Sequence, residues 1–371
     1  MYVRNIMKFI FFLVCLYPIF SFAQNEKQED LNPDRLSVKE FKLEAEKLAS
    51  SEIKLPFKTI NILDSRFDTS KIGYVTNADN LGGKRRAFRK MTFRGGIGNS
   101  IQTYYNDYYA GSFTPNDFEL LIVMKRFWIS GNSATNSKRV EVTNSDKDNN
   151  SIHCKWEYYI GKVGNYLPVK RLDSTFTIAE DSRNYLNNQL SLKRLLFFKN
   201  TLHALIEMLD FSNATIQFDK QAKKTLSQIQ DFNKRMTTIT ILQDSTFKKG
   251  IYLSFEEFKN NQPSITDFQE RKMRYGAFDL HSESYLEDMK GQTISNYWGY
   301  SDGKEFRYGM LGNEKIYRIQ NTFCFFIKVL GYTIQQGDQG QFGGGGTNTI
   351  SKSKYEIWVP FQIDMETGDI Y

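Results

Sequence analysis

Histidine and cysteine are scarce in this sequence, which has 371 residues and three of each. A zinc site needs three or four such ligands converging on one ion. His153, His203 and His281 are far apart, and none lies near another histidine or a Cys-x-x-Cys pair. The pattern therefore predicts no metal centre, and we interpret the three histidines as surface or packing residues.

The motifs of covalent catalysis and phosphate binding are also lacking. The chain has no Gly-x-Ser-x-Gly, the strand-to-helix turn that exposes a serine nucleophile. Residues 95–98 read Gly-Gly-Ile-Gly, but Ile101 stands where a dinucleotide-binding loop needs its third glycine. We predict a tight strand-to-helix turn at this point, no catalytic residues and no cofactor.

A calcium loop is the nearest approach to a metal motif. Asp146, Asp148, Asn150 and Glu157 have the spacing of EF-hand ligands. Position 6 of such a loop is Ser151 in this chain, whereas an EF-hand needs glycine there for its sharp turn. A polar hairpin loop is the favoured interpretation, and no bound metal is predicted.

Long apolar runs are absent after residue 23. Residues 9–20 form a short apolar run with two basic residues and no acid before it, and Ser-Phe-Ala follows at residues 21–23. This order predicts a cleavable signal peptide over residues 1–23, because a membrane span needs about 20 apolar residues. An uncleaved anchor helix and a lipid on Cys15 are the alternatives. We expect a periplasmic or extracellular protein whose mature chain has no transmembrane span.

The excess of positive charge is small. The net charge is +7, and removal of Arg4 and Lys8 with the signal peptide leaves +5. A mild excess on an exported chain of this size argues against a nucleic-acid partner.

Cys154 and Cys324 are the two cysteines of the mature chain. Alternate residues from 152 to 160 are apolar and include Cys154, which is typical of a strand face buried in a core. A disulfide between the two cysteines is the alternative, since an exported protein meets an oxidising compartment.

Aromatic residues, by contrast, make up 15% of the chain, which favours sheet-rich packing. Residues 117–129 are apolar on both faces over much of their length, the pattern of a central strand covered on both sides. A wide apolar stripe predicts a long helix over residues 182–209. The predicted fold class is α+β, with an N-terminal mixed or antiparallel sheet covered by that helix and a mainly antiparallel β module after it.

Five segments follow from this pattern. Ser37 and Glu40 form a capping-box pattern that predicts a short helix to residue 49. Ser-Asp-Gly at residues 301–303 predicts a hairpin turn in the last segment. The predicted segments are a signal peptide (1–23), a polar leader with the short helix (24–56), an α+β domain (57–212), a helical connector (213–248) and an antiparallel β-rich domain (249–371).

One positively charged stretch is dense enough to predict a binding site. It holds six cations in eleven residues, interleaved with two phenylalanines: Lys84, Arg85, Arg86, Arg89, Lys90 and Arg94. Such a cluster can bind anionic lipid headgroups or acidic glycans at an envelope surface. The alternative is a solvated hairpin face that pairs with acids elsewhere in the chain.

The C-terminal third resembles a recurrent pattern in uncharacterised exported proteins of Bacteroidota-type bacteria. The shared features are Lys-Gly-Ile-Tyr at residues 249–252, residues 255–264 and Trp-Gly-Tyr-Ser-Asp-Gly-Lys at residues 298–304. Residues 21–24 also resemble the end of their signal peptides. The resemblance implies an envelope setting and no particular activity.

Export, two sheet-containing modules and the lack of clustered nucleophiles or metal ligands together predict a non-enzymatic binding or interaction protein. Its partners would be envelope proteins, anionic lipid headgroups or acidic glycans. The rival hypothesis is a hydrolase acting on an envelope polysaccharide or another cell-surface polymer. A hydrolase of this kind would show two carboxylates about 5–10 Å apart in a deep cleft.

Overall fold

The computed structural model describes most of the chain outside its N-terminal segment. The described residues are 33, 36–45, 54–76, 88–130, 147–181, 189–211, 218–274, 282–311, 313–336 and 350–371. Contacts group residues 33–371 into one compact unit. Helices and strands are mixed along the chain, so the α+β class is confirmed.

The first sheet is mixed and has eight strands. Its order is β1-β4-β3-β5-β6-β7-β8, with β2 pairing on β5. The β1–β4, β2–β5 and β3–β5 contacts are parallel and the other pairs are antiparallel. The strands are β1 (Val38–Phe41), β2 (Ile60–Asp64), β3 (Gly73–Thr76), β4 (Phe88–Phe93), β5 (Phe118–Ser130), β6 (Lys147–Lys162), β7 (Asn165–Asp181) and β8 (Lys224–Thr225).

Strand β5 is buried on both faces, as its sequence predicts. Leu120, Ile122 and Met124 belong to the main core on the first face of the sheet. Leu121 and Val123 belong to a smaller core on the second face. Each such side chain contributes roughly 1.5–3 kcal/mol when it leaves water, so β5 anchors the sheet from both sides.

Three helices pack on this sheet. Helix α1 (Ile97–Tyr108) and helix α2 (Gln189–Glu207) contribute buried residues to the core of the first face. The structure describes helix α2 from Gln189, and residues 182–188 of the predicted helix lie outside the described residues. Helix α3 (Leu226–Thr237) buries Ile229 on the second face. It falls within the predicted helical connector.

The short helix predicted from Ser37 to residue 49 is wrong where the structure describes it. Residues 38–41 form strand β1, which pairs in parallel with β4. The Ser37 carbonyl accepts a backbone hydrogen bond from Lys90 at 2.9 Å. The capping-box pattern is a local signal, and pairing with a distant strand overrides it because the sheet supplies the backbone partners.

The second half contains two antiparallel sheets. A six-stranded sheet has the order β17-β16-β15-β14-β13-β9, and a three-stranded sheet has the order β10-β11-β12. The strands are β9 (Gly250–Tyr252), β10 (Phe268–Arg274), β11 (Ser282–Asp288), β12 (Thr293–Ile294), β13 (Gly299–Ser301), β14 (Phe306–Tyr308), β15 (Glu314–Ile319), β16 (Thr322–Gln336) and β17 (Ile350–Ile363). Two short helices, α4 (Thr240–Gln243) and α5 (Phe255–Lys259), and a 3-10 turn (Gly309–Leu311) complete the described elements.

An aromatic core holds the six-stranded sheet. Phe258 lies at its centre, with its ring centroid 4.4 Å from Trp298, 4.8 Å from Phe306 and 5.0 Å from Phe323. The predicted hairpin is confirmed, because β13 and β14 pair across Gly303, whose φ of 96° suits glycine.

Both described cysteines, Cys154 and Cys324, are buried and reduced. The alternative of a disulfide between them is therefore wrong, and Cys154 has the predicted core position. Among the described residues, no helix is both long enough and apolar enough to span a bilayer.

Candidate functional site

The positively charged stretch predicted from sequence leads into strand β4. Arg89 and Lys90 lie on β4, and Arg94 follows its last residue. Lys84, Arg85 and Arg86 lie outside the described residues.

Alternation along β4 separates its two cations. Met91 and Phe93 are buried in the main core, whereas Lys90 and Thr92 are only half-buried. Successive side chains on a strand point to opposite faces. Arg89, near the start of β4, therefore lies on the same face as Met91, and Lys90 points to the other face. The cations surround this end of the sheet rather than form a single flat face.

Strand β1 adds two lysines that the sequence analysis did not assign to the site. Lys39 pairs in register with Met91, and Lys42 follows the end of β1. We call this set of five cations the basic corner: Lys39, Lys42, Arg89, Lys90 and Arg94. The register of β1 on β4 brings these five cations together, and no local sequence pattern predicts that register.

Arg94 and Lys42 of the basic corner each pair with an exposed acid. Arg94 Nε lies 3.9 Å from the Glu40 carboxylate, and these side chains are 74% and 55% exposed. Lys42 pairs with Glu44, and its hydrogen bond lowers the pKa of that carboxyl. Exposed ion pairs hold their partners weakly. An anionic ligand can therefore displace these acids from the lysine and the arginine.

A second polar cluster joins the first sheet to the C-terminal segment after β17. We call it the seam, and it comprises Arg126, His153, Lys155, Asp173, Asp364, Glu366 and Tyr371. The register of the first sheet places Lys155 beside Asp173, and His153 beside Thr175. These side chains are on the second face of the sheet, because Cys154 and Trp156 between them point into the main core.

Arg126 is the centre of the seam. Its guanidinium binds Asp173 at 3.3 Å and also contacts Asp364. Lys155 binds Glu366 at 2.5 Å and lies 3.8 Å from Asp173. The Arg126 side chain is 15% exposed and that of Asp364 is 6% exposed. The Arg126–Asp364 pair therefore ties the second half to the first through largely desolvated charges, and Lys155–Glu366 adds a more exposed pair.

Tyr371 completes the seam with an aromatic contact. Its hydroxyl donates to Asp364, and its ring lies 5.3 Å from His153 and 5.5 Å from the Arg126 guanidinium. Burial, together with the Asp364 charge, holds the pKa of Tyr371 well above its usual value. Burial and the charge of Arg126 lower the pKa of His153 to about 4.

The seam does not provide the deep cleft expected of a hydrolase. Its cavity has a volume of about 40 Å³, whereas ligand pockets typically measure about 300–1,000 Å³. Asp173 and Asp364 both bind Arg126, and the Asp364 side chain is only 6% exposed. Two carboxylates that share one arginine, with Lys155 also near Asp173, are suited to holding two modules together.

Glu157, the last residue of the calcium-like pattern, has protein partners. Its carboxylate binds Lys125 at 2.8 Å and Arg171 at 3.1 Å, and Tyr159 donates to it at 2.8 Å. Burial alone raises the pKa of Glu157, but the hydrogen bonds from Lys125 and Tyr159 outweigh that effect and lower it. In the described part of the chain, no three His, Cys, Asp or Glu side chains are grouped as metal ligands.

Two other sequence features have packing roles. Gly96, with a φ of 93°, precedes helix α1 in a tight strand-to-helix turn, which confirms that prediction. His203 lies between helices α2 and α1, where its ring is 3.8 Å from Tyr108 and its Nε2 is 2.8 Å from the Tyr104 hydroxyl. This contact ties the two helices together.

In comparisons with known proteins, no family model, no curated protein and no solved structure matches the chain.

Proposed function

We propose that this chain is an exported binding protein of the cell envelope that performs no covalent chemistry and binds anionic groups at the basic corner. In this proposal residues 1–23 are removed as a signal peptide, and the mature protein acts in the periplasm or outside the cell. Its ligand carries phosphate or carboxylate groups, as lipid headgroups and acidic glycans do.

The observation that carries the proposal is the pairing of β1 with β4. This register brings five cations to one end of the sheet, where Arg94 and Lys42 pair with the exposed acids Glu40 and Glu44. In sequence, Lys84, Arg85 and Arg86 lie shortly before the strand and add three further positive charges. A concentrated patch of one sign attracts anionic ligands more strongly than a mild net charge spread over the whole surface.

The packing of the sheet supports the same location. We infer that helix α2 covers the first face of the sheet, while α3 and the seam occupy the second. The β1–β4 end lies at the edge of the sheet order, where side chains reach solvent. The resemblance of the C-terminal third to exported Bacteroidota-type proteins supports an envelope setting.

The test is binding of the mature protein to two anionic surfaces, phosphatidylglycerol vesicles and an acidic polysaccharide column. The variant reverses Arg89, Lys90 and Arg94 to Glu. Each basic residue near an anionic membrane is worth about 1 kcal/mol. Loss of three should therefore weaken vesicle binding by about 100-fold or more. The two surfaces distinguish a lipid from a glycan ligand.

The matched control reverses three exposed lysines elsewhere, Lys220, Lys234 and Lys290, to Glu. It changes the net charge by the same amount and leaves the basic corner intact. We expect it to bind like the parent protein. Equal losses in the two variants would show that only overall charge matters, and no binding of the parent protein to either surface would refute the proposed function.

A further inference from the structure

Among the described residues, the outer edge of strand β7 has no paired strand over most of its length. Strand β8 pairs only with Asn165 and Tyr166 at the start of β7. In the described part of the chain, no strand pairs with the same edge from residue 167 to residue 181. An open edge of this length presents backbone donors and acceptors that can pair with another chain.

Charges of both signs lie on this edge. Arg171 and Asp173 share the second face of the sheet, and their side chains are 74% and 55% exposed. Leu172 between them points to the first face, where it packs against the main core. Arg171 and Asp173 are two residues apart, so an antiparallel copy of the same strand centred on Leu172 brings each opposite the other.

The neighbouring strand β6 continues this charge pattern. Glu157 pairs in register with Arg171, and Lys155 pairs with Asp173. The ion pairs form, at 3.1 Å for Glu157–Arg171 and 3.8 Å for Lys155–Asp173. From β6 to β7, the Glu157–Arg171 row is negative then positive. The Lys155–Asp173 row is positive then negative.

We propose that two copies of this chain associate by antiparallel pairing of their β7 edges around a two-fold axis at Leu172. Arg171 of each copy then faces Asp173 of the other. Each row then alternates in charge across four strands. One row reads Glu157, Arg171, then Asp173 and Lys155 of the second copy, and the two-fold axis generates the other. Opposite charges that face each other across strands stabilise a sheet, and like charges destabilise it.

The same register sets the length of the contact. Strand β8 occupies the edge at Asn165 and Tyr166, so the second copy pairs only from Pro168 onward. The register shift on β6 between Tyr158 and Tyr159 skips Val169, so the regular part of the contact runs from Lys170 to Ser174. Pro168 is compatible with an edge strand because it has no N–H to donate. A contact of this length falls below standard stable interfaces, and the dimer therefore dissociates on dilution.

Sedimentation velocity over a range of protein concentrations tests the proposal. The parent chain is expected to show a concentration-dependent monomer–dimer equilibrium that weakens at high salt. Arg171→Asp and Asp173→Arg each turn two symmetry-related attractive pairs into repulsive ones. The association constant of each variant alone should therefore be lower than that of the parent chain by roughly tenfold or more.

Sedimentation velocity of a mixture of the two variants is the most discriminating measurement. A chain with Arg171→Asp presents two acids, and a chain with Asp173→Arg presents two arginines, so a heterodimer regains both cross-copy pairs. Association should return in the mixture, which also shows that both variants fold. Thr177→Asp, on the same strand but outside the paired segment, should associate like the parent chain.

Three results would overturn the proposal: a parent chain that stays monomeric at every concentration, single variants that dimerise as well as the parent, or a mixture of folded variants that does not associate. If a charge reversal prevents folding, Arg171→Gln and Asp173→Asn replace it. Each should weaken dimerisation, and unchanged dimerisation of both would count against the pairing.

Discussion

Replacing Arg126 with methionine should destabilise the protein more than any exposed charge substitution. The arginine side chain is 15% exposed and Asp364 is 6% exposed. Removing one partner of a buried ion pair typically costs about 3–5 kcal/mol, because the other charge stays buried and unpaired. Asp364 keeps two hydrogen bonds, from the Glu366 backbone N–H at 2.8 Å and from the Tyr371 hydroxyl. We therefore expect a loss of about 2–3 kcal/mol, below the full range.

Urea unfolding followed by circular dichroism and tryptophan fluorescence measures this loss. Since the seam joins the two halves within one compact unit, both probes should report one coincident transition. The control is Arg94→Met, whose ion pair with Glu40 is long and exposed, and which should cost less than about 0.5 kcal/mol. A loss for Arg126→Met no larger than that of the control would refute the structural role of the seam.

Two further predictions concern His153 and the cysteines. The pKa of His153 is about 4 in the folded protein against 6.5 unfolded, so the unfolded chain binds more protons between these values and stability falls as the pH drops from 6.5 to 4. His153→Gln should flatten that part of a pH series of urea midpoints, and an unchanged slope would show that His153 does not titrate this way. For the cysteines, thiol titration of the mature protein, denatured without reductant, should find both Cys154 and Cys324 free. A native titration should react slowly, because burial raises the pKa of Cys154; loss of both thiols would reveal a disulfide.

The two proposed contacts lie at opposite ends of the first sheet. The basic corner is at the β1–β4 end of the strand order, and the β7 edge is near the other end. Pairing through β7 would leave both basic corners outward. Two anion-binding sites on one particle bind a multivalent surface more tightly than one site does. Weak dimerisation would then be enhanced at an anionic surface, where the protein is concentrated.

Much of the fold can be predicted from local sequence patterns. The two-sided apolar character of residues 118–124 identifies β5 as a central strand, because such a pattern is stable only between two covered faces. The alternation around Cys154 identifies a core face, and Gly303 identifies a hairpin turn. Each of these signals is contained within a dozen residues or fewer.

The seam and the basic corner depend on long-range pairing that no local pattern specifies. Arg126 and Asp364 are 238 residues apart in sequence, and either could equally be a solvated surface charge. Strand β1 carries a capping-box pattern, yet its partner β4 lies about fifty residues further along the chain. Sequence reasoning found the cations of β4 because they are dense, and missed Lys39 and Lys42 because only the register of β1 brings them there.

The central claim is that the basic corner binds anionic groups, and a salt titration of vesicle binding tests it most directly. The parent protein, the variant with Arg89, Lys90 and Arg94 reversed to Glu, and the control with Lys220, Lys234 and Lys290 reversed are compared on phosphatidylglycerol vesicles from about 50 to 500 mM salt. We predict binding of the parent and the control that weakens as salt rises, and binding of the corner variant that is about 100-fold weaker or more at low salt. Binding of the corner variant equal to that of the control at low salt would contradict the claim.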